Sequence, residues 1–415
     1  MKLLVLTAGL ETSTLDPAAT WVHELTARLA TRGHRVTVLC TRTLDAREPP
    51  EDPAGVTVWR PLEPDCASVL SALLDLAPDV VHVAATGPLP ASMTESLAHA
   101  PLLVDLLDWS ALCPAADLLA RPGGEPCALH HPAAPCGTCV GQTRVRAMEP
   151  FMAFARGGHR VVAHASHVRD RATPVLGRGV ALVPAGVDAT FFTPSPAAPL
   201  APEVAALVSD RTRRRVVTLG APTPARGGDR LLDLLVALHA RAPMAELVVP
   251  GTDPGHPDLL HIVLAEAKEL GVASQLRALP RVSRADLPAL LAACDVGVSP
   301  GLAPEPLGLP IVQALAAGLP VVANDAETMR ELLQDGSAGV LVPAASMAPF
   351  ADAVARLLED PTARTAIGER ARLAALERHD IERAVFDTEA IYERVRGVHA
   401  MRLASAPPRR PRAAA

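Results

Sequence analysis

Two stretches of this 415-residue chain gather side chains able to do chemistry. The first is Pro300 to Ala323, PGLAPEPLGLPIVQALAAGLPVVA. Val296 to Ser299 reads as a short buried strand ahead of it. Leu307 to Ala317 is an apolar run of about three helical turns, closed by Gly318. Glu305 and Gly308 then fall at a helix entrance. Free backbone N–H groups and the positive end of a helix dipole, set beside a carboxylate, suit a ligand bearing both phosphate and hydroxyl groups. Gly308 would let the backbone approach such a ligand closely. The second stretch holds Cys113, Cys127, Cys136 and Cys139, the last two as CxxC. In a reducing cytosol, four thiols in a loop-rich segment favour a metal over disulfides, and a tetrahedral set of thiolates suits a closed structural zinc. His130 or His131 could replace one sulfur. Four unligated thiols and an iron–sulfur cluster are the competing readings.

The elements that must position these residues alternate as βα units, which predicts a doubly wound α/β architecture. Lys2 to Thr7 reads as a first buried strand rather than a signal peptide, because the run reaches Glu11 without a long apolar core or cleavage pattern. Pro17 to Arg32 is an amphipathic helix with Trp21, Leu25 and Leu29 on one face. Further strands are expected at Val56 to Arg60, Val80 to Ala84, Leu102 to Leu106, Arg160 to Ala163, Ala181 to Pro184, Arg215 to Leu219 and Glu246 to Gly251. His82 reads as a strand-end histidine, and Arg211, Arg213, Arg214 and Arg215 as a solvated charge run.

Charged residues at 20% and hydrophobic residues at 49% describe a soluble globular protein large enough for two cores. A net charge of −6 argues against a nucleic-acid binder. No apolar run reaches the length of a transmembrane span. The expectation is a cytoplasmic enzyme, or one that visits a membrane surface.

Glu305-Pro306-Leu307-Gly308, followed by Gln313-Ala314-Leu315-Ala316-Ala317-Gly318-Leu319-Pro320-Val321-Val322-Ala323, resembles the signature of retaining glycosyltransferases of the GT-B fold, family 4, written E-P-F-G-x-x-x-x-E-A-x-A-x-G-x-P-V-V-A. Asp79-Val80-Val81-His82 and Ala185-Gly186-Val187-Asp188 are similar to other family segments, and the cysteines resemble a subgroup with an insertion after H-D-x-W-x-x-C-P. The resemblance implies two Rossmann-like lobes facing across a cleft. It sets an acceptor-side domain at residues 1–193 with a cysteine-bearing insertion at 108–143, and a linker at 194–202. A nucleotide-sugar domain follows at 203–380, then a helix at 381–401 crossing back to the first domain, and a disordered tail at 402–415.

The family reading also implies roles. Glu305 would orient the donor sugar, Arg226 would pair with the diphosphate in place of the family's Lys, and Asp108 would hydrogen-bond an acceptor hydroxyl or cap its own loop. Gly220, Gly308, Leu309 and Gln313 would line the nucleotide site. The donor would be a nucleoside-diphosphate sugar, the acceptor a small molecule or glycan, and no catalytic metal would be required. Four positions depart from the family: Leu107 replaces a His, Ala221 an Arg and Gln313 a Glu, and the loop Gly9 to Asp16 lacks a Gly-Gly pair. Two readings follow: a hexosyltransferase with an altered site, or a catalytically impaired relative that binds a ligand or supports a partner glycosyltransferase.

Overall fold

Strands such as Val80–Ala84 and Val296–Ser299 are buried along their whole length, as happens when helices cover both faces of a parallel sheet. The computed structural model of the protein describes residues 1–10, 16–42, 52–62, 65–84, 87, 89–119, 127, 134–156, 160–193, 200–210, 212–251, 258–280, 282–343 and 346–405.

Among these residues the chain forms two sheets. The first has the order β3-β2-β1-β4-β5-β6-β7, from β1 (Lys2–Thr7), β2 (Arg35–Cys40), β3 (Val56–Trp59), β4 (Val80–Ala84), β5 (Leu102–Asp105), β6 (Arg160–Ala163) and β7 (Ala181–Leu182). The second has the order β10-β9-β8-β11-β12-β13, from β8 (Arg214–Thr218), β9 (Ala245–Pro250), β10 (Leu276–Leu279), β11 (Val296–Ser299), β12 (Val321–Asn324) and β13 (Val340–Val342). All ladders are parallel, so helices supply the crossovers. The strands start and stop within a residue or two of the positions expected from apolar patterning.

The second sheet reverses its winding between β8 and β11, where Thr218 lies beside Val298. Ligands of open α/β sheets bind beyond the carboxyl ends of strands at such a switch point. The loops leaving these two strands carry Gly220 to Arg226 and Pro300 to Gly308. They pack backbone against backbone: a Cβ on Gly227 would lie 2.9 Å from the Gly301 nitrogen, and one on Gly301 would lie 2.7 Å from the Ala225 carbonyl oxygen. Only glycine permits that approach.

The chain passes between the lobes twice, and the two passages pair with each other. Val187 N–H donates to the His379 carbonyl at 2.8 Å, and Ile381 N–H to the Val187 carbonyl at 3.3 Å. A Cβ on Gly186 would lie 2.6 Å from Ile381 Cα. The last helix, Ile381–Ser405, packs on the first lobe, where Glu389 pairs with Arg32 at 2.9 Å and with His34 at 2.7 Å. It continues beyond Arg402, where a disordered tail was expected; positions 406–415 lie outside the described residues.

Two polar readings change. His82 is interior to β4, not at a strand end, and is 1% exposed. Its Nδ1 lies 2.9 Å from the Tyr392 hydroxyl of the last helix, and its Nε2 lies 3.3 Å from Asp105. Asp105 also meets His164 Nε2 at 2.6 Å, while His164 Nδ1 lies 2.7 Å from the Val183 carbonyl oxygen. Burial alone would raise the Asp105 carboxyl, but the charge and hydrogen bond of His164, with His82 close by, outweigh it and hold the group well below the usual carboxylate range. Arg215 is likewise not solvated. It is 1% exposed, with its guanidinium 3.2 Å from Glu246 and donating to the Leu207 carbonyl at 2.8 Å. Buried charge demands such partners. Arg211 lies outside the described residues.

Candidate active site

Arg226 ends a short 3₁₀ turn, Pro224–Arg226, whose entrance Thr223 caps by accepting the Arg226 N–H at 3.1 Å. Glu305 lies on the loop after β11. The two meet: Arg226 Nε donates to Glu305 Oε1 at 2.6 Å, with side chains 22% and 14% exposed. The guanidinium was expected to stand alone for a phosphate and the carboxylate to face a sugar. Instead each is the other's partner, at the carboxyl ends of β8 and β11. Gly220 lies beneath them, since a Cβ there would sit 3.3 Å from Arg226 Cδ. A second cation, Arg230, donates to the Pro300 carbonyl at 2.8 Å, and burial lowers its pKa from the usual arginine value.

The helix of the signature is Leu309–Ala316, two residues later in onset than the apolar run suggested, because Gly308 takes a left-handed conformation at φ 65° and caps it. The left-handed conformation favours glycine here, and a Cβ would lie 2.5 Å from Leu332 Cδ1, so that side chain would have to shift. Helix starts leave N–H groups unpaired. Pro310 has none to offer, and Ile311 and Val312 donate to the Gly308 carbonyl at 3.0 and 3.1 Å. Leu309 thus supplies the first-turn amide that carries no hydrogen bond among the described residues.

Beside this helix a small hollow, open to solvent, is lined by Thr218, Gly220, Pro310 and Gln313 with leucines opposite. Gly220 and Gln313 therefore share one place, while Leu309, next to Pro310 in the chain, does not line it. The Thr218 hydroxyl lines the hollow without a hydrogen-bond partner among the described residues. An orphaned buried hydroxyl of that kind asks for a polar group from outside the chain. Its position as the last residue of a strand at the switch point is the signal that could have singled it out.

Asp108 sits across the cleft and holds its own loop. It accepts from Gly87 N–H at 2.8 Å and from Ser110 N–H at 2.9 Å, and also from the Ser110 hydroxyl. Burial pushes its carboxyl upward, against the pull of these bonds. Leu107 and Ala221 are 4% and 1% exposed and belong to the apolar interior. Of the loop between Gly9 and Asp16, positions 11–15 lie outside the described residues.

Five residues that carried no site role in the sequence bind the lobes together here: Trp109, Ser166, His167, Thr328 and Glu331. Trp109, in the first lobe, donates its indole N–H to the Pro304 carbonyl at 2.7 Å. Glu331, in the second, accepts Ser166 N–H at 2.8 Å and the Ser166 hydroxyl at 2.6 Å, so its charge caps the helix Ser166–Leu176 of the first lobe. His167 Nε2 lies 3.0 Å from the Thr328 hydroxyl, and that hydroxyl donates to the Glu305 carbonyl at 2.9 Å. The contacts between the lobes join residues more than 160 positions apart, which no local pattern reports.

The zinc reading is not supported. Among the described residues no three His, Cys, Asp or Glu side chains gather closely enough to hold a metal ion. Cys113 and Cys127 pack against the first lobe's apolar core, while Cys139 Sγ points to the Leu119 carbonyl at 3.9 Å. Spacing along the chain had suggested a shared metal, but the sulfurs do not come together closely enough to hold one among the described residues. His130 and His131 lie outside the described residues. No helix among the described residues is long and apolar enough to cross a membrane.

Comparison with known proteins fits this geometry. Residues 203–374 match the family Glycosyl transferases group 1. The GDP-mannose-dependent alpha-(1-6)-phosphatidylinositol monomannoside mannosyltransferase of Mycobacterium tuberculosis is 33% identical over 215 residues, which are 50% of this chain and 54% of that protein. The chain thus spans about half the length of this relative. Sucrose-phosphate synthase of Thermosynechococcus elongatus superposes with a TM-score of 0.71 at 18% identity, covering 96% of this chain and all of that one. HepE of Anabaena, solved in complex with UDP-glucose, gives 0.66 at 18% identity over 98% of this chain and 100% of its own. By its two-lobed architecture the chain has the GT-B fold of these structures, and its second lobe is similar to the Glycosyl transferases group 1 family, as half of its length is to the mannosyltransferase.

Proposed function

We propose that the protein transfers a hexosyl group from a nucleoside-diphosphate sugar to a hydroxyl acceptor with retention. The observation that carries this reading is the convergence of Arg226, Glu305, Gly308 and the Leu309 amide beyond the carboxyl ends of β8 and β11. In that arrangement the nucleoside occupies the hollow lined by Thr218 and Gln313, and the diphosphate faces Arg226 and the helix start. Glu305 turns to the sugar once a phosphate has taken its place on Arg226. Charge that develops on the departing diphosphate is then met by a fixed guanidinium and a backbone donor, a mode of stabilisation that needs no metal from the chain. Gln313 contacts a ribose hydroxyl as a neutral partner, more weakly than a carboxylate would. Asp108 stands on the acceptor side. The domain limits in this reading are 1–193 and 203–380, joined by the linker at 194–202. The mannosyltransferase relative makes GDP-mannose the first donor to try.

The impaired-relative reading draws on Leu107 and Ala221, whose buried apolar side chains place neither an imidazole nor a guanidinium where relatives carry them. Calorimetric titration with GDP, UDP, ADP and TDP tests the shared premise: binding of none of them ends both the enzyme reading and this site. Release of nucleoside diphosphate from a bound sugar donor then separates an active enzyme from an impaired one.

A further inference from the structure

The backbone of Glu305 is held from the opposite lobe. Pro304 and Glu305 are consecutive, and both carbonyl oxygens are engaged: that of Pro304 by the Trp109 indole at 2.7 Å, that of Glu305 by the Thr328 hydroxyl at 2.9 Å. Thr328 is 1% exposed and bonds in turn to His167 of the first lobe at 3.0 Å. Hydrogen accounting fixes the direction of this relay. A carbonyl cannot donate, so the one proton of Thr328 goes to Glu305, and His167 must donate its Nε2–H to Thr328. The imidazole is then the neutral tautomer with a bare Nδ1, consistent with burial that lowers its pKa to about 4. Trp109 steadies the ring edge-on, with centroids 5.8 Å apart. The helices that carry His167 and Thr328, Ser166–Leu176 and Glu327–Leu332, are fastened again by Glu331 on Ser166 and by Arg171 on Glu327 at 2.9 Å.

We propose that Trp109 and the His167–Thr328 relay are positioning residues for the Glu305 loop, so that contact between the lobes and the geometry of the donor-sugar site are one equilibrium. Parting the lobes removes the Trp109 bond and the first-lobe end of the relay together. The loop that aims the Glu305 carboxylate then loses its supports, and the site for the sugar of a nucleoside-diphosphate sugar is complete only when the lobes touch. The assignment of a sugar to this site rests on the preceding reading. The mechanical link does not.

Amide hydrogen exchange on the full chain tests it, using Trp109→Phe, Thr328→Val and Thr328→Ser. Each lost hydrogen bond should speed exchange of the amides in 301–309 about fivefold, with β8 to β12 unchanged and Thr328→Ser restored to the wild-type rate. Unchanged exchange in Trp109→Phe and Thr328→Val would overturn the proposal, as would a Ser variant that fails to rescue. A second arm adds saturating GDP or UDP. In wild type and Thr328→Ser, nucleotide bound by the second lobe should protect first-lobe amides 165–170, whereas in Thr328→Val it should still bind without protecting them. Protection retained in Thr328→Val refutes the coupling. Failure of every nucleotide to bind wild type instead refutes the donor reading, and the ligand-free arm still decides the mechanical link.

Discussion

Glu305→Gln should bind nucleoside diphosphates more tightly than wild type while transferring sugar more slowly. The carboxylate occupies the guanidinium that a diphosphate needs, Nε to Oε1 at 2.6 Å. Opposite charges about 4 Å apart at an effective dielectric of about 20 attract by roughly 4 kcal/mol before desolvation. Exposed pairs retain about 0.2–1 kcal/mol of such attraction. With side chains 22% and 14% exposed, this pair falls between those limits, at about 1–2 kcal/mol. Amide for carboxylate keeps the shape and a neutral hydrogen bond but removes the competing charge. Isothermal titration should therefore show GDP or UDP affinity rising roughly 5- to 30-fold. The gain should shrink in high salt, where screening shortens to about 3 Å, and should vanish in the Arg226→Ala background. An affinity for diphosphate that is equal to or weaker than wild type in a folded Glu305→Gln protein refutes the competition.

Other outcomes follow from single contacts. Gly308→Ala should lose about 1–3 kcal/mol in urea unfolding, from the left-handed conformation and the encroachment on Leu332; an unaltered midpoint would contradict the geometry. Asp105→Asn removes the anion between His82 and His164 and should cost about 3–5 kcal/mol at neutral pH. Because the native carboxyl titrates below its unfolded value, its contribution is complete above about pH 4 and falls away in stronger acid. The gap between wild type and variant in melting temperature should narrow there, and a gap that widens in acid would reverse the assignment. Treatment with EDTA should leave the melting temperature unchanged, and a fall of several degrees would return a metal to the cysteines.

Much of the architecture was legible because buried parallel strands are written as uninterrupted apolar runs. Val296 to Ser299 and Val80 to Ala84 begin and end where the pattern placed them. Gly308 was legible in part, placed at a helix entrance, although the apolar run set the helix two residues too early at Leu307. What escaped was partnership. Nothing local told that Arg226 and Glu305 would neutralise each other across 79 positions, or that Arg215, in a run of arginines, would turn inward to Glu246. Apolar patterning reports which side a residue faces. It does not report which distant charge the fold will bring to meet it. The cysteines show the converse: closeness in sequence implied a shared ion, and the fold does not bring the sulfurs into a metal-holding cluster among the described residues.

The pairing of Val187 with His379 and Ile381 has a mechanical consequence. Two connections set far apart would lock the halves into one body, but two that touch behave as a single pivot. Gly186, pressed against Ile381 Cα, is the bearing of that pivot. Rotation about it would part the bonds at the rim and the apolar contacts that the lobes share. The molecule can therefore gape and shut while both of its sheets stay whole.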